Sequence, residues 1–148
     1  MHGVAARRTV VHFGWDYGYD SWKIQPTDPI PDFLQPVRSC VALLAGLPAE
    51  ALAQALIARY PAGAGIGWHR DAPMFGPTVA GVSLLSESVM RLRPPGRGRR
   101  VLFRLRLAPR SAYVLTGAAR AQWQHSIPPV ESLRYSISFR TLANVGDR

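Results

Sequence analysis

The sequence of 148 residues has the length of one domain, and its apolar fraction of 47% excludes an intrinsically disordered chain. Its net charge is +9 at pH 7, because 18 basic residues, seventeen of them arginine, outnumber 9 acidic ones. We therefore expect a single globular domain over residues 1–148 whose partners include anions.

Cysteine content and hydropathy bear on the cellular compartment. A single cysteine, Cys40, excludes an intramolecular disulfide and is typical of a reducing compartment. The N-terminal residues MHGVAARR lack the apolar core of a secretory signal. The most apolar stretch, residues 40–58, is interrupted by proline, glutamate and glutamine and is too broken to span a membrane. The sequence thus predicts a cytoplasmic protein without a membrane segment, which we expect to be a monomer.

The first part of the chain alternates strand and helix patterns. Residues 9–14 (TVVHFG) predict a strand, and an aromatic loop followed by TDPIPDF leads to a helix near residues 33–44. Residues 49–60 have helical composition. Their last six, ALIARY, fit a strand equally well, because periodicity does not distinguish the two in a short apolar run.

The rest of the chain has the pattern of a β protein. Glycine and proline separate six runs of strand composition: VAGVSLLS, VMRLR, VLFRLRL, SAYVLT, WQHSI and RYSISFRT. Strands at this spacing after an early helix predict a sandwich or barrel with helices on one side. In the last run, alternation places Arg134 and Arg140 on one face and the apolar side chains on the other. By this pattern alone, the two arginines could simply face solvent.

The stretch GWHRDAPMFGPT carries a histidine and an aspartate two positions apart. A kinase catalytic loop would need asparagine five residues after the aspartate of HRD, and Gly76 stands there. In an extended segment His69 and Asp71 point to the same side, where they could bind one metal ion. His125 of the WQHSI run offers a third ligand, and two histidines with one carboxylate are typical of non-haem Fe(II) oxygenases. The short pattern alone is also common in hydrogen-bonded turns.

Several motifs in a fixed order resemble one enzyme family. FGW, RYPAGAGIGWHRD, VSLL, YVLTGAAR, WQHSI and RYSISFR are similar, over residues 10–142, to the AlkB family of Fe(II)- and 2-oxoglutarate-dependent dioxygenases. The resemblance implies a mainly β fold with flanking helices, a double-stranded β-helix or jelly roll. It also implies Fe(II) bound by His69, Asp71 and His125, with 2-oxoglutarate and O2 as cosubstrates.

The same resemblance assigns residues to the cosubstrate. It implies that Tyr60 and Arg134 hold the distal carboxylate of 2-oxoglutarate and that Arg140 lies near the metal and its aspartate. An arginine that points into a barrel needs a carboxylate partner, because an unpaired buried charge is very costly. Two positions depart from the family pattern. Ser136 replaces the usual asparagine of the last strand, and Ala58 replaces the asparagine that the family often has two residues before the cosubstrate tyrosine. We expect Ser136 to contact the cosubstrate more weakly, or through water.

Aromatic residues are concentrated near the N-terminus. Five of the fourteen aromatic side chains lie within residues 13–22. A loop at this place in the family resembles a lid over the substrate base, so we expect an aromatic substrate flap over about residues 13–26. Trp15 would stack on the base, with Tyr17 and Tyr19 beside it. Part of this cluster could instead pack on the core.

Arginine is concentrated in a segment without acidic residues. Residues 88–130 contain nine arginines and no aspartate or glutamate. A GC-rich genome raises the arginine content but does not explain this clustering, which suits a polyanionic partner. We expect Arg97, Arg99 and Arg100 of the loop PPGRGRR to contact phosphates of nucleic acid.

These features together predict oxidative dealkylation of N-alkylated bases in DNA or RNA. Hydroxylation of the alkyl carbon would give a hemiaminal that collapses and releases an aldehyde. Two alternatives remain open: the same chemistry on a protein side chain or a small molecule, and a binding module for modified nucleic acid without turnover. Many nucleic-acid-repair members carry an acidic residue shortly after the metal aspartate, where Ala72 and Pro73 stand here. The sequence therefore does not identify the base.

Overall fold

The structure is a computed structural model that describes residues 6–17, 24–96, 98, 100–101 and 103–143. Its strands are β1 (Thr9–Phe13), β2 (Trp15–Tyr17), β3 (Ile24–Pro26), β4 (Gln54–Tyr60), β5 (Ile66–His69), β6 (Phe75–Leu84), β7 (Ser88–Arg93), β8 (Phe103–Leu107), β9 (Ser111–Leu115), β10 (Gln124–Ile127) and β11 (Arg134–Leu142). Its α-helices are α1 (Gln35–Ala45) and α2 (Gly117–Ala121), and short 3-10 turns span Asp32–Leu34 and Ala49–Ala51.

Two antiparallel sheets enclose the main core. The major sheet has the strand order β1-β4-β11-β6-β9, and the minor sheet has the order β5-β10-β7-β8. Buried apolar side chains of both sheets, among them Leu56, Met90 and Leu107, form one cluster between them. This arrangement confirms the mainly β jelly-roll fold that the sequence predicts.

Helix α1 covers the other face of the major sheet. A proline in its first turn supplies a preformed backbone angle, and Gly46 ends it in the left-handed conformation with φ 72°. Val41 and Ala42 of the helix form a second apolar cluster with Ile137 and Phe139 of β11. The helix predicted near residues 33–44 is thus confirmed.

No helix in the described part of the chain is long and apolar enough to cross a membrane.

The structure decides one open local prediction and corrects another. In the stretch 49–60, only Ala49–Ala51 is helical, and Gln54–Tyr60 is the strand between β1 and β11. Pairing on both edges and burial outweigh the helical propensity of its alanine and leucine residues. The expected extended segment through HRD is also interrupted, because β5 ends at His69 and Asp71 lies in the following loop.

The two ends of the aromatic segment near the N-terminus form paired strands. Strands β2 and β3 pair with Trp15 opposite Pro26, while residues 18–23 lie outside the described residues. Gly14, at the junction with β1, has φ +81°, and a Cβ there would lie 2.2 Å from the carbonyl oxygen of Ala53. Glycine is therefore required where the hairpin leaves the major sheet.

Candidate metal and cosubstrate site

Three side chains that commonly bind metals converge beside the minor sheet. His69 at the end of β5 is opposite His125 of β10, and their ring centroids are 4.2 Å apart. Asp71 places Oδ1 3.7 Å from Nε2 of His69 and 3.6 Å from Nε2 of His125. Adjacent ligands of an octahedral ion with bonds of about 2.1 Å lie about 3 Å apart. Shifts of a few tenths of an ångström per side chain would therefore bring Asp71 to ligand spacing from each histidine, and all three ligand atoms lie within 4.8 Å of one another.

The environment holds two of these ligands in the protonation states that bind metals. Burial alone would raise the pKa of Asp71, but the positive charge of Arg140 and the histidines lower it to about 2. Burial, together with the neighbouring His69, lowers the pKa of His125 to about 4. At neutral pH the site therefore offers a carboxylate and a neutral imidazole without having to release protons.

Arg140 determines which oxygen of Asp71 remains available. Its Nε donates a 2.5 Å hydrogen bond to Oδ2 of Asp71, whose side chain is only 5% exposed. Its Nη1 donates to Oε1 of Gln54 at 3.0 Å, and its guanidinium lies over the ring of Phe75. Oδ1 of Asp71 is left facing the two histidines. This contact agrees with the position that the family resemblance implies for Arg140.

Arg134 is a buried cation with unused hydrogen-bonding capacity. It is opposite Tyr60 in the sheet register, its guanidinium carbon lies 4.9 Å from the centroid of that ring, and it is 2% exposed. Its Nε donates to Oγ of Ser83 at 2.9 Å, whereas Nη1 has no hydrogen-bond partner. No ion pair joins Arg134 to an acidic side chain of the described residues. A small carboxylate in the adjacent cavity would satisfy this charge, so the site fits 2-oxoglutarate.

The candidate metal cluster and Arg134 open into the same cavity. It has a volume of about 380 Å³, and its lining includes all three metal-ligating side chains together with Tyr60, Ser136 and Arg140. Apolar side chains, among them Leu56 and Val79, complete the walls. The structure thus brings together every residue that the sequence assigns to the metal or to the cosubstrate.

Tyr113 of β9 also lines this cavity, although the sequence analysis did not select it. Burial and the nearby carboxylate of Asp71 raise the pKa of Tyr113 to about 12, so its phenol stays protonated. A Cβ on Gly81, the residue opposite it in β6, would lie 2.7 Å from the hydroxyl oxygen. The location of Tyr113 depends on the register of β9 against β6, which its own amphipathic run does not reveal.

Arg120 is an exception to the expected polyanion-binding role of the basic segment. It is buried in α2, and its guanidinium donates to the carbonyl oxygens of Asp71, Ala72, Phe75 and Gly76. Burial lowers its pKa. Arg120 therefore fixes the loop that carries the metal aspartate. The motif YVLTGAAR contained this residue, but only the fold shows that it points inward.

The predicted substrate residues are placed less completely. Trp15 is half-buried on β2 and lies outside the described lining of the cavity. Tyr17 lies in the same strand, where only its backbone is described, and Arg100 is exposed. Three others lie outside the described residues: Tyr19, Arg97 and Arg99. Their roles remain predictions.

Two histidines and a carboxylate on a jelly roll are the donor set of a non-haem Fe(II) oxygenase. The family model described as "2OG-Fe(II) oxygenase superfamily" matches residues 3–140. The chain belongs to this superfamily, whose cofactors are Fe(II) and 2-oxoglutarate.

Relatives among known proteins are AlkB homologues. The mouse (Mus musculus) tRNA (carboxymethyluridine(34)-5-O)-methyltransferase ALKBH8 is 33% identical over 128 residues, which are 82% of this chain and 18% of the mouse protein. An Arabidopsis thaliana protein named "Alkylated DNA repair protein ALKBH8 homolog" is 26% identical over 146 residues, covering 83% of this chain and 42% of its own length. The chain thus spans less than half of these relatives.

Two further similarities are to a sequence and to a solved structure of AlkB homologues. The bovine (Bos taurus) mitochondrial alpha-ketoglutarate-dependent dioxygenase alkB homolog 7 is 46% identical over 63 residues, covering 40% of this chain and 27% of the bovine protein. The solved structure of OsALKBH1 superposes with a TM-score of 0.64 at 14% identity, covering 95% of this chain and 82% of that one. The fold is thus shared with an AlkB homologue, and the sequence of this superfamily member is similar to those of AlkB homologues.

Proposed function

We propose that this chain removes N-linked alkyl groups from bases of nucleic acid by hydroxylating the alkyl carbon. The resulting hemiaminal collapses, which restores the base and releases an aldehyde. One observation carries the oxygenase part of this proposal. The cluster of His69, Asp71 and His125 faces the same cavity as Arg134, a buried cation with an unpaired N–H group.

Each residue of the cavity has a separate task. Bound Fe(II) and 2-oxoglutarate would supply the oxidising chemistry by which O2 hydroxylates a C–H bond. His69, Asp71 and His125 would hold the metal through two imidazoles and one carboxylate. Arg134 and Tyr60 hold the distal carboxylate of the cosubstrate, Ser136 lies beside it, and Arg140 keeps the metal carboxylate oriented. The apolar walls limit the access of water to the reacting groups.

The outer face of the minor sheet supports a polyanionic substrate. Arg91 and Arg93 of β7 point away from the core, with guanidinium carbons 5.2 Å and 4.0 Å from the centroid of the Trp68 ring. Arg104 of β8 is opposite Arg91 in the register, and Arg106 lies two positions further along the same face. Cations on neighbouring strands form a positively charged surface on which phosphates can bind.

Two further observations favour nucleic acid over other anions. The basic face continues into the loop PPGRGRR between β7 and β8, where Arg100 is exposed. Among the relatives, the mouse protein is named for tRNA and the Arabidopsis protein for alkylated DNA. We infer that Arg97, Arg99 and Arg100 contact phosphates, while the hairpin of β2 and β3 is the substrate flap and Trp15 stacks on the base.

The direct test is product analysis with methylated and unmethylated single-stranded DNA and RNA oligonucleotides. Given Fe(II), 2-oxoglutarate and O2, the protein should release formaldehyde and succinate in equal amounts from a methylated strand only. Asp71→Asn should release neither. Succinate without formaldehyde from any oligonucleotide would point to a protein or small-molecule substrate. Binding of the methylated strand without either product would indicate a module that lacks turnover.

A further inference from the structure

Gln54, at the start of β4, uses both ends of a fully buried side-chain amide. Its Oε1 accepts the 3.0 Å hydrogen bond from Nη1 of Arg140, and its Nε2 lies 3.2 Å from Nδ1 of His12 on β1. A guanidinium can only donate, so the oxygen of the amide must face Arg140 and its nitrogen must face His12. The orientation of Gln54 is thereby determined on chemical grounds.

This orientation also determines the tautomer of His12. Because an amide nitrogen only donates, Nδ1 of His12 must accept the hydrogen bond, so the neutral ring carries its proton on Nε2. Nε2 faces Oδ1 of Asp16 at 3.7 Å, which suits an N–H group at that atom. Burial lowers the pKa of His12, in agreement with a neutral ring.

The other end of the network reaches the metal carboxylate. Arg140 is opposite Gln54 in the sheet register, and while Nη1 is held by the amide, Nε donates to Oδ2 of Asp71. The contacts from His12 to Arg140 therefore cross three neighbouring strands, β1, β4 and β11. Without the amide, Arg140 could rotate about its last side-chain bonds and present another N–H group to Asp71.

We propose that Gln54 is a positioning residue for the metal site, held in its orientation by His12. It acts through Arg140, which engages one oxygen of Asp71 and leaves the other for the metal. This inference rests on the proposed Fe(II) site, but its hydrogen-bond pattern also exists in the metal-free protein and can be tested there.

The first test compares two glutamine variants. Gln54→Leu removes the amide beside Arg140, whereas Gln35→Leu removes an amide that accepts from Arg38 on α1, far from the cavity lining. Anaerobic titration should show Fe(II) affinity about tenfold lower for Gln54→Leu and unchanged for Gln35→Leu. Thermal unfolding with a chelator measures any general loss of stability separately. If Gln54→Leu binds Fe(II) as the wild type does, Gln54 does not position the site.

The second test uses Gln54→Glu, which keeps an acceptor for Arg140 and removes the donor to His12. Nitrogen-15 NMR of the four histidines, with His12 assigned from a His12→Asn variant, reports the tautomer in metal-free protein. The wild-type ring should carry its proton on Nε2, and in Gln54→Glu Nδ1 should become protonated. Fe(II) affinity of this variant should remain close to that of the wild type.

The outcomes of the two tests separate this inference from the proposed function. The hydrogen-bond network is overturned if His12 of the wild type is protonated at Nδ1, or if its tautomer is unchanged in Gln54→Glu. Either result holds regardless of the Fe(II) affinities. A wild type that shows the expected tautomer but binds no Fe(II) contradicts the proposed function and the positioning role, while leaving the hydrogen-bond pattern itself supported. Should Gln54→Leu fail to fold, Gln54→Met, which also lacks an acceptor for Arg140, replaces it in the titration with the same expected loss, and wild-type affinity in that variant overturns the positioning role.

Discussion

At the scale of single residues, two side chains of the proposed metal site owe their charge states to their surroundings. The Arg140 guanidinium keeps Asp71 ionised although it is buried, and burial keeps His125 neutral. Both effects prepare the site for a cation, and both make the metal-free protein sensitive to acid.

Acid should destabilise the metal-free protein in a defined pH range. Between pH 6.5 and about 4, the unfolded chain protonates His125 and the folded chain does not, so stability falls as pH falls. A shift of that size corresponds to a loss on the order of 3 kcal/mol. Asp71 adds a further loss between pH 3.8 and about 2. Urea unfolding with a chelator at pH 7 and pH 5 measures the first part, and His125→Gln should flatten it. An equal pH dependence in that variant would contradict the assignment.

Arg134 should be irreplaceable by lysine. An ammonium group cannot reproduce both the contact with Ser83 and a two-point contact with a carboxylate, so Arg134→Lys should raise the Kd of 2-oxoglutarate. We expect a rise of at least about tenfold, the loss of one charge-assisted hydrogen bond, with Fe(II) affinity retained. Binding of 2-oxoglutarate to the Fe(II)-loaded protein is the measurement. Unchanged affinity would move the role to Arg140 or Tyr60.

Residue chemistry explains which parts of the site could be predicted from the sequence. Arg134 and the three residues of the proposed metal site lie in short motifs. The spacing and order of these motifs are visible along the chain. The contacts of Gln54, Ser83 and Tyr113 are different, because each depends on the strand that lies opposite. A pattern of alternation gives the face of a side chain but not the identity of its cross-strand partner.

At the scale of elements, the loop after β5 is held from outside rather than by its own sequence. Arg120 of α2 donates to two carbonyl oxygens of the loop and to two at the start of β6, and Arg70 donates from the loop to the carbonyl oxygen of Ala121. A short helix and a loop thus stabilise each other, and together they position Asp71.

Replacing Arg120 should loosen this loop. Arg120→Met keeps much of the side-chain volume but leaves several carbonyl groups unpaired, which should lower the free energy of unfolding by about 3 kcal/mol. Fe(II) affinity should fall as well, because Asp71 would no longer be fixed. Arg59→Met, at an exposed position of β4, is the matched control and should change neither quantity. Chemical denaturation and Fe(II) titration measure the two effects. Equal results for both variants would show that Arg120 does not hold the loop that carries Asp71.

The elements themselves show where local sequence suffices. The alternation of RYSISFR predicted the two faces of β11, because that strand separates a polar cavity from an apolar helix contact. The composition of residues 49–60 left helix and strand equally open for ALIARY, because the environment that makes β4 a strand is supplied by β1 and β11. Likewise, the aromatic run marked the region of β2 and β3, but its pairing with IQP was not visible in the sequence.

At the scale of the whole molecule, the minor sheet has two chemically different faces. His69 and His125 point to the cavity, whereas Trp68, Arg91 and Arg93 lie on the opposite side of the same strands. A substrate that binds the basic outer face by its phosphates would have to present its base around the edge of the sheet. Base extrusion from the strand is the physical requirement of such an arrangement.

Exposed arginines of this face should control the salt dependence of binding. Arg100→Gln combined with Arg104→Gln removes two phosphate contacts, so the slope of log K against log salt should decrease by about 1.4 for a single strand. The loss should be equal for methylated and unmethylated oligonucleotides, because phosphates carry no base information. Arg59→Gln on β4 is the control. An unchanged slope would show that these arginines do not contact phosphates and would leave codon usage as the explanation of their clustering.

Trp15→Ala provides the contrasting case in the same experiment. Loss of stacking should cost about 1–3 kcal/mol of binding free energy, mainly for the methylated strand, with the salt dependence unaltered. Equal losses for both strands would contradict a role in holding the base.

The central claim is that one cavity binds Fe(II) through His69, Asp71 and His125 and 2-oxoglutarate through Arg134. Anaerobic addition of Fe(II) and then 2-oxoglutarate, followed by visible absorption, tests both together because a metal-to-ligand charge-transfer band requires direct coordination. We predict a band in the wild type at one Fe(II) per chain and none in His125→Ala, whose folding is checked by circular dichroism. Absence of the band in the folded wild type, or an undiminished band in His125→Ala, would contradict the account.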